Sequence, residues 1–155
     1  KPIHAWGVKP WNGFEEFIRQ RALSVGDKRG EWRTEGINFT ETVFPISPGV
    51  AADKYALGYA GLAYVGDDVK LVPLVEKTGG PAVAPNIDEV YAARYPLCRL
   101  VFFNTNKRPG EPLSPVLEEF IKFILSREGQ QIIRDQAVFV PLRETQAATS
   151  RALLK

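Results

Sequence analysis

Trp6-Gly-Val-Lys-Pro-Trp-Asn-Gly-Phe-Glu-Glu16 reads as the end of a short strand, a tight loop and the first turn of a helix. Asn12 suits the N-cap, and Glu15, three residues later, completes an approximate capping box. Such a strand–loop–helix corner gathers backbone N–H groups and the positive helix end at one place, which suits an anion. Glu15 in that first turn works against a second anion. The rest of the chain reads as a scaffold around this corner.

Working outward, Ile3 to Gly7 is the expected strand and Asn12 to Ser24 the expected helix. Phe14, Phe17, Ile18 and Ala22 share one helix face. Gly26 stops the helix, and the charged stretch from Gly26 to Gly36 reads as a solvated loop, with Trp32 tucked back or exposed. Between Ile37 and Lys54, Pro45 and Pro48 forbid one continuous helix, leaving a short one from about Pro48 to Asp53. Gly58 and Gly61, between Tyr59 and Tyr64, signal close backbone approach or a turn. Val69 to Leu74 reads as a strand ending at Pro73, and Thr78 to Pro85 as a loop. Asn86 caps a helix from Ile87 to about Arg94.

Leu97 to Asn104 carries the strongest strand pattern, followed by a turn from Asn106 to Pro112. Ser114-Pro115 opens the best helix, with Val116, Leu117, Phe120, Ile121 and Ile124 as its apolar stripe. Ser126 caps a second helix with Ile132 and Ile133 inward, Phe139 to Leu142 is extended, and Arg143 to Lys155 forms a terminal helix. Strands alternating with helices favour an α/β fold over a bundle or sandwich.

The 155 residues suffice for one domain with its own core. The 20 basic and 18 acidic side chains balance too closely to imply nucleic acid or an anionic membrane as partner. Cys98 is the only cysteine, so no intrachain disulfide forms, and its apolar setting reads as a buried, inert thiol. One Cys and one His argue against a structural zinc site, and no cofactor is implied. No apolar stretch approaches the roughly 20 residues that span a bilayer. The chain opens on Lys1-Pro-Ile-His4, close to a strand, which reads as the start of a mature or domain-length segment.

Three stretches together resemble the phosphate-type substrate-binding proteins of ABC transporters. One is Tyr95-Pro-Leu-Cys-Arg, with Glu119 to Ile133 (containing Leu125-Ser-Arg-Glu-Gly-Gln130) and Val140-Pro-Leu142. Another is Ala51-Ala-Asp-Lys-Tyr-Ala-Leu-Gly-Tyr-Ala-Gly-Leu-Ala-Tyr64, and the third is Lys1-Pro-Ile-His-Ala-Trp-Gly7. The resemblance implies a periplasmic-binding-protein-like lobe with a three-layer mixed sheet flanked by helices. It implies a second lobe over 1–95 and a returning strand with C-terminal helices over 96–155, in one domain. It also implies a small phosphate-like anion as ligand, an ABC-transporter membrane component as partner, and a periplasmic or secreted location. A lobe without its mate would expose apolar surface at the junction, so a homo-oligomer is expected.

At the corner, the family's pattern is Gly-Arg-x-Asp-x-Ser-Gly-Thr. Here Gly7 keeps the first glycine, while Val8 stands at the arginine, Pro10 at the aspartate, Asn12 at the serine, Gly13 at the second glycine and Phe14 at the threonine. Val8 supplies no bidentate charged grip and Phe14 no hydroxyl. The remaining ligand-binding candidates are Asn12, Gly13, the Phe14 backbone, Lys9 with its charge and Trp11 as a stacking face. The competing reading is a capped helix start with a hydrophobic rim of Trp6, Trp11 and Phe14. A non-catalytic interaction module, presenting Trp6, Trp11 and Trp32 to a protein partner, is the alternative function.

Nothing in the sequence assembles a catalytic set. Gly-x-Ser-x-Gly and a Walker loop are absent, and Thr78-Gly-Gly80 lacks a phosphate loop's lysine. The pairs Glu15-Glu16, Asp67-Asp68 and Glu118-Glu119 do not share a helix face and read as solvated charge. His4 reads as a hydrogen-bonded structural histidine, and Asn38-Phe-Thr40 fits a glycosylation sequon.

Overall fold

The computed structural model describes every residue except Thr34, Pro109 and Lys155. Pro109 of the expected turn and Lys155 of the expected terminal helix therefore lie outside the described residues. The chain divides into two compact units, Lys1–Val72 and Pro73–Lys155.

The first unit is α/β. Strand β1 (His4–Val8) leads through the corner into helix α1 (Gly13–Ile18), which continues as a π-helical turn over Arg19–Leu23. Strand β2 (Ile37–Thr40), helix α2 (Ile46–Ala51) and strand β3 (Ala56–Gly58) follow, then a short 3-10 turn at Leu62–Tyr64. The sheet order is β2-β1-β3 and both pairings are parallel. Ala5 stands opposite Ile37, and His4 opposite Ala56.

Opposite faces of β1 meet different helices. On one face a Cβ at Gly49 of α2 would lie 2.6 Å from the Trp6 ring, so only glycine lets α2 approach. On the other, a Cβ at Gly7 would lie 2.7 Å from the Tyr59 ring, which packs against Phe14 of α1 at 5.7 Å. The sheet is thus covered on both sides, with Val8, Ile18 and Ile46 as its buried apolar core. The helix on β1's loop begins as the sequence suggests, but β2 falls inside a stretch whose prolines hid it. Helix α2 starts at Ile46, two residues before the expected position, with Pro45 as its N-cap and Pro48 tolerated in the first turn.

The second unit opens with a two-residue antiparallel hairpin, β4 (Leu74–Val75) with β5 (Ala82–Val83). The strand expected over Val69–Leu74 is therefore displaced: Leu74 is its first residue rather than its last, and Pro73, which lacks a ladder donor, precedes it. Helix α3 (Ile87–Tyr91) is capped by Asn86, whose side chain accepts the Glu89 N–H. Leu97–Asn104 is not a strand. It runs as irregular chain with Val101 and Phe102 70% and 76% exposed, because no strand among the described residues supplies it a ladder.

Helices α4 (Pro115–Ile124), α5 (Arg127–Gln136) and α6 (Glu144–Ala152) complete the unit. The stripe on α4 is only partly covered: Leu117, Ile121 and Ile124 are half-buried, whereas Val116 and Phe120 are exposed. On α5, Ile132 is exposed rather than inward, while Ile133 is half-buried. The α4–α5 corner is specific. Ser126 Oγ accepts the Gly129 N–H, a Cβ at Gly129 would lie 2.2 Å from the Phe123 carbonyl, and Gln130 donates to the Ile124 carbonyl. Gln130 also accepts the Leu142 N–H at 2.7 Å, and Arg151 of α6 donates to the Leu125 carbonyl. The Ser126–Gln130 and Val140–Leu142 stretches are thus two halves of one hydrogen-bonded corner.

Candidate functional site

In open parallel sheets, ligands bind beyond the carboxyl ends of strands, where successive connections leave in opposite directions. Here the chain passes from β1 to β2 on one side, then to β3 on the other, so that point is the end of β1. The corner of Lys9 to Phe14 occupies it.

Lys9 extends the ladder, its N–H donating to the Thr40 carbonyl at 2.9 Å. Pro10 and Trp11 then turn the chain, with Trp11 at φ 73°, where a bulky residue is uncommon. The order proline then positive φ is that of a type II turn. Trp11 is 82% exposed, so neither packing nor burial demands its ring there. Asn12 Oδ1 accepts the Phe14 N–H at 2.9 Å, capping α1 as expected. Space around Gly13 is open: an added Cβ there would meet nothing within 4 Å. Lys9 Nζ is ion-paired with Glu41 on the loop after β2.

The expected capping box is not what Glu15 makes. Its side chain is fully buried; it accepts from Trp32 Nε1 at 2.5 Å and pairs with Arg19 Nε at 3.2 Å. Arg19, itself buried, also contacts Glu16 at 2.8 Å and Glu31 at 3.5 Å. Burial works against the Arg19 charge, but Glu16, Glu15 and Glu31 outweigh it and hold its pKa above the ordinary value. Hydrogen bonds from Gln20 and then Arg29 lower the Glu16 pKa. The pair Glu15-Glu16 is therefore a structural anchor rather than solvated charge.

Trp32 is tucked back, stacked on Tyr59 at 5.6 Å and 13°. Tyr59 in turn places its hydroxyl on β1, within 3.2 Å of the Val8 N–H and 3.3 Å of the Val8 carbonyl. Burial pushes the Tyr59 phenol up to about 12. Phe14, Tyr59 and Trp32 thus form an aromatic wall beside the corner. The sequence offered Tyr59 only as a flank to glycines, because its partners are 45 residues upstream at Phe14 and 27 upstream at Trp32. Trp6 belongs to the α2 face instead, so the expected rim of Trp6, Trp11 and Phe14 does not form as one surface. Of Trp6, Trp11 and Trp32, only Trp11 is exposed.

The structure brings Lys9, Trp11, Asn12, Gly13 and Phe14 to one corner. Its polar groups suit hydrogen bonding to a small solute, and no cluster of metal-ligating side chains occurs among the described residues. His4 lies at the opposite end of β1, bonded to Asp53 at 2.5 Å.

No family model matches the chain. The chain is 29% identical over 149 residues to phosphate-binding proteins PstS from two strains of Pseudomonas aeruginosa, a match covering 96% of this chain and 45% of theirs. A phosphate-binding protein of a Streptococcus pneumoniae phosphate ABC transporter has the same fold at TM-score 0.67 and 22% identity, over 92% of this chain and 52% of that one. A possible phosphate binding protein of Planctomyces limnophilus aligns at TM-score 0.58 and 20% identity, over 99% of this chain and 53% of that one. The chain therefore spans about half the length of the relatives it matches. The resemblance read from the three sequence stretches extends over nearly the whole chain, and the α/β class stands.

Proposed function

We propose that the chain is a solute-binding lobe of the phosphate-binding kind, with specificity altered from that of its relatives. The carrying observation is the sequence match over 96% of the chain to PstS proteins, together with a corner at the carboxyl end of a central parallel strand. In this reading a small phosphate-like anion meets the Asn12 amide nitrogen and the Trp11 ring beside Gly13, with Lys9 at the rim, while the Phe14 N–H is already given to Asn12 Oδ1 and holds the corner's shape. Val8 at the arginine position is fully buried and Phe14 packs on Tyr59, so neither supplies a polar grip. In this reading 1–155 would act as the single domain expected from the sequence. It would act outside the cytoplasm beside an ABC-transporter membrane component, as a binding protein and not as an enzyme.

Isothermal calorimetry of the whole chain with phosphate tests this. Saturable heat, lost on Asn12→Ala or on giving Gly13 a side chain, supports the reading. No response to phosphate or related oxyanions up to about millimolar, where binding free energy is about −4 kcal/mol, overturns it. That outcome would favour the second reading, a protein-interaction module, for which the exposed Trp11 ring is the supporting observation.

A further inference from the structure

The second unit buries little of its own apolar surface. Among the described residues of Pro73–Lys155, only Leu125 and Ala147 are buried apolar side chains. Two open elements of this unit touch. Phe103 packs edge-on against Phe120 of α4 at 5.9 Å, so the irregular segment and the helix share one surface. Helix α4 is apolar on two adjoining faces. Leu117, Ile121 and Ile124 are half-buried on one, while Phe120 and Phe123 stay open on the other. Its charges keep to a third face, where Lys122 pairs with Glu118 and Glu119. The segment lacks something more specific. Among the described residues, no main-chain hydrogen bond is made from 100 to 106. Open donors and acceptors along a stretch of strand-forming residues are a template for another strand.

We propose that this surface is a two-fold interface between two copies of the chain, in which residues 97–104 pair antiparallel with themselves. The area fits. Four phenylalanine rings, each about half exposed or more, open with Leu100 and Val101 an apolar surface on the order of 600 Å². A stable interface takes roughly 800 Å² from each partner, and the unpaired main chain supplies much of the remainder. The charge fits as well. Arg99 is the only charged residue between Arg94 and Lys107, so the antiparallel pair sets no like charges opposite each other. An in-register parallel pair would stack Arg99 on its own copy. Centred on Phe102, the pairing sets Phe102 against the partner's Phe102, Val101 against the partner's Phe103 and Arg99 against the partner's Thr105. Aromatic pairs and aromatic–β-branched pairs are favourable cross-strand combinations. Paired in this way, Val101 and Phe103 share the face that meets Phe120. The expected homo-oligomer thereby gains a surface and a register that the resemblance does not contain. The interface is independent of the solute reading, whose corner lies in the first unit.

Sedimentation velocity of the full chain at about 10 micromolar should show a dimer. Phe102→Lys sets like charges across the axis and should raise the dimer Kd at least about a hundredfold, about tenfold for each copy. Phe102 is exposed, so far-ultraviolet circular dichroism should be unchanged. In a Cys98→Ser chain, Phe102→Cys should give a disulfide-linked dimer with diamide as oxidant, because directly opposed residues lie within disulfide reach. Ile132→Cys, at an exposed apolar position on α5, should not. If Phe102→Lys loses helix content, the cross-link decides alone. A monomer at every concentration overturns the interface, as does a dimer that Phe102→Lys leaves intact. Cross-linking at Ile132 equal to that at Phe102 also overturns it, by marking unspecific association. A monomer that takes up an added extended apolar peptide overturns the second copy as occupant and gives the surface to a foreign strand.

Discussion

At the scale of single residues, Glu15 shows how far a side chain's role departs from its local sequence. Three positions past an N-cap it reads as a capping partner, yet it is buried between Trp32 and Arg19. Nothing near Glu15 announces Trp32, which lies 17 residues on. Removing a partner from a buried ion pair is costly because the other charge is left uncompensated. Glu15→Ala should therefore lose about 3–5 kcal/mol in urea unfolding, whereas Glu41→Ala, in an exposed pair, should lose under about 1 kcal/mol. Equal losses would refute the distinction. Tyr59 gives a pH signature. Its folded pKa is raised from 10.0 to about 12, so the folded state holds its proton more tightly than the unfolded chain. That contribution is complete below pH 10.0, and falls away as pH rises towards about 12. A phenolate absorbance titration should lose one late-titrating tyrosine in Tyr59→Phe, while Tyr95, also raised by burial, remains.

Among elements, those with local signals were legible. Asn12, Asn86 and Ser126 each cap the helix expected after them, and Pro115 opens α4. A cap is a matter of three neighbouring residues, so sequence carries it. Strands were harder, because a ladder depends on a distant partner. Leu97–Asn104 has the residues of a strand and no ladder, whereas the plainer β2 pairs with β1 across more than 30 positions. The Lys9–Phe14 corner was legible as a strand–loop–helix turn, but not its aromatic wall or its ion pairs, whose members come from separate segments. The α4–α5 corner supplies a sharper element-scale test. Gly129→Ala improves helix propensity by about 1 kcal/mol, but its Cβ would strike the Phe123 carbonyl at 2.2 Å. Backbone cannot yield as a flexible side chain does. The substitution should destabilise by about 1–3 kcal/mol on balance, and a neutral result in thermal unfolding would refute the contact.

For the whole molecule, the two units carry different reporters. All three tryptophans lie within Lys1–Val72, while the three longest described helices lie within Pro73–Lys155. Denaturant unfolding followed by tryptophan fluorescence and by far-ultraviolet circular dichroism should therefore give different midpoints, because the two units have separate cores. Coincident curves would show a single cooperative unit instead. The parallel ladder of the first unit also sets two chain closures of different length. Joining β1 to β2 closes the chain between Ala5 and Ile37, and joining β1 to β3 closes it between His4 and Ala56. Since the cost of closing a flexible loop grows as the logarithm of its length, the longer closure is dearer by only about 0.4 kcal/mol if made alone. Made after the shorter one, it need only gather the segment beyond Thr40. The ladder of the central strand is thus complete only when both closures are made, whereas the Asn12 cap beside it spans two residues and needs neither.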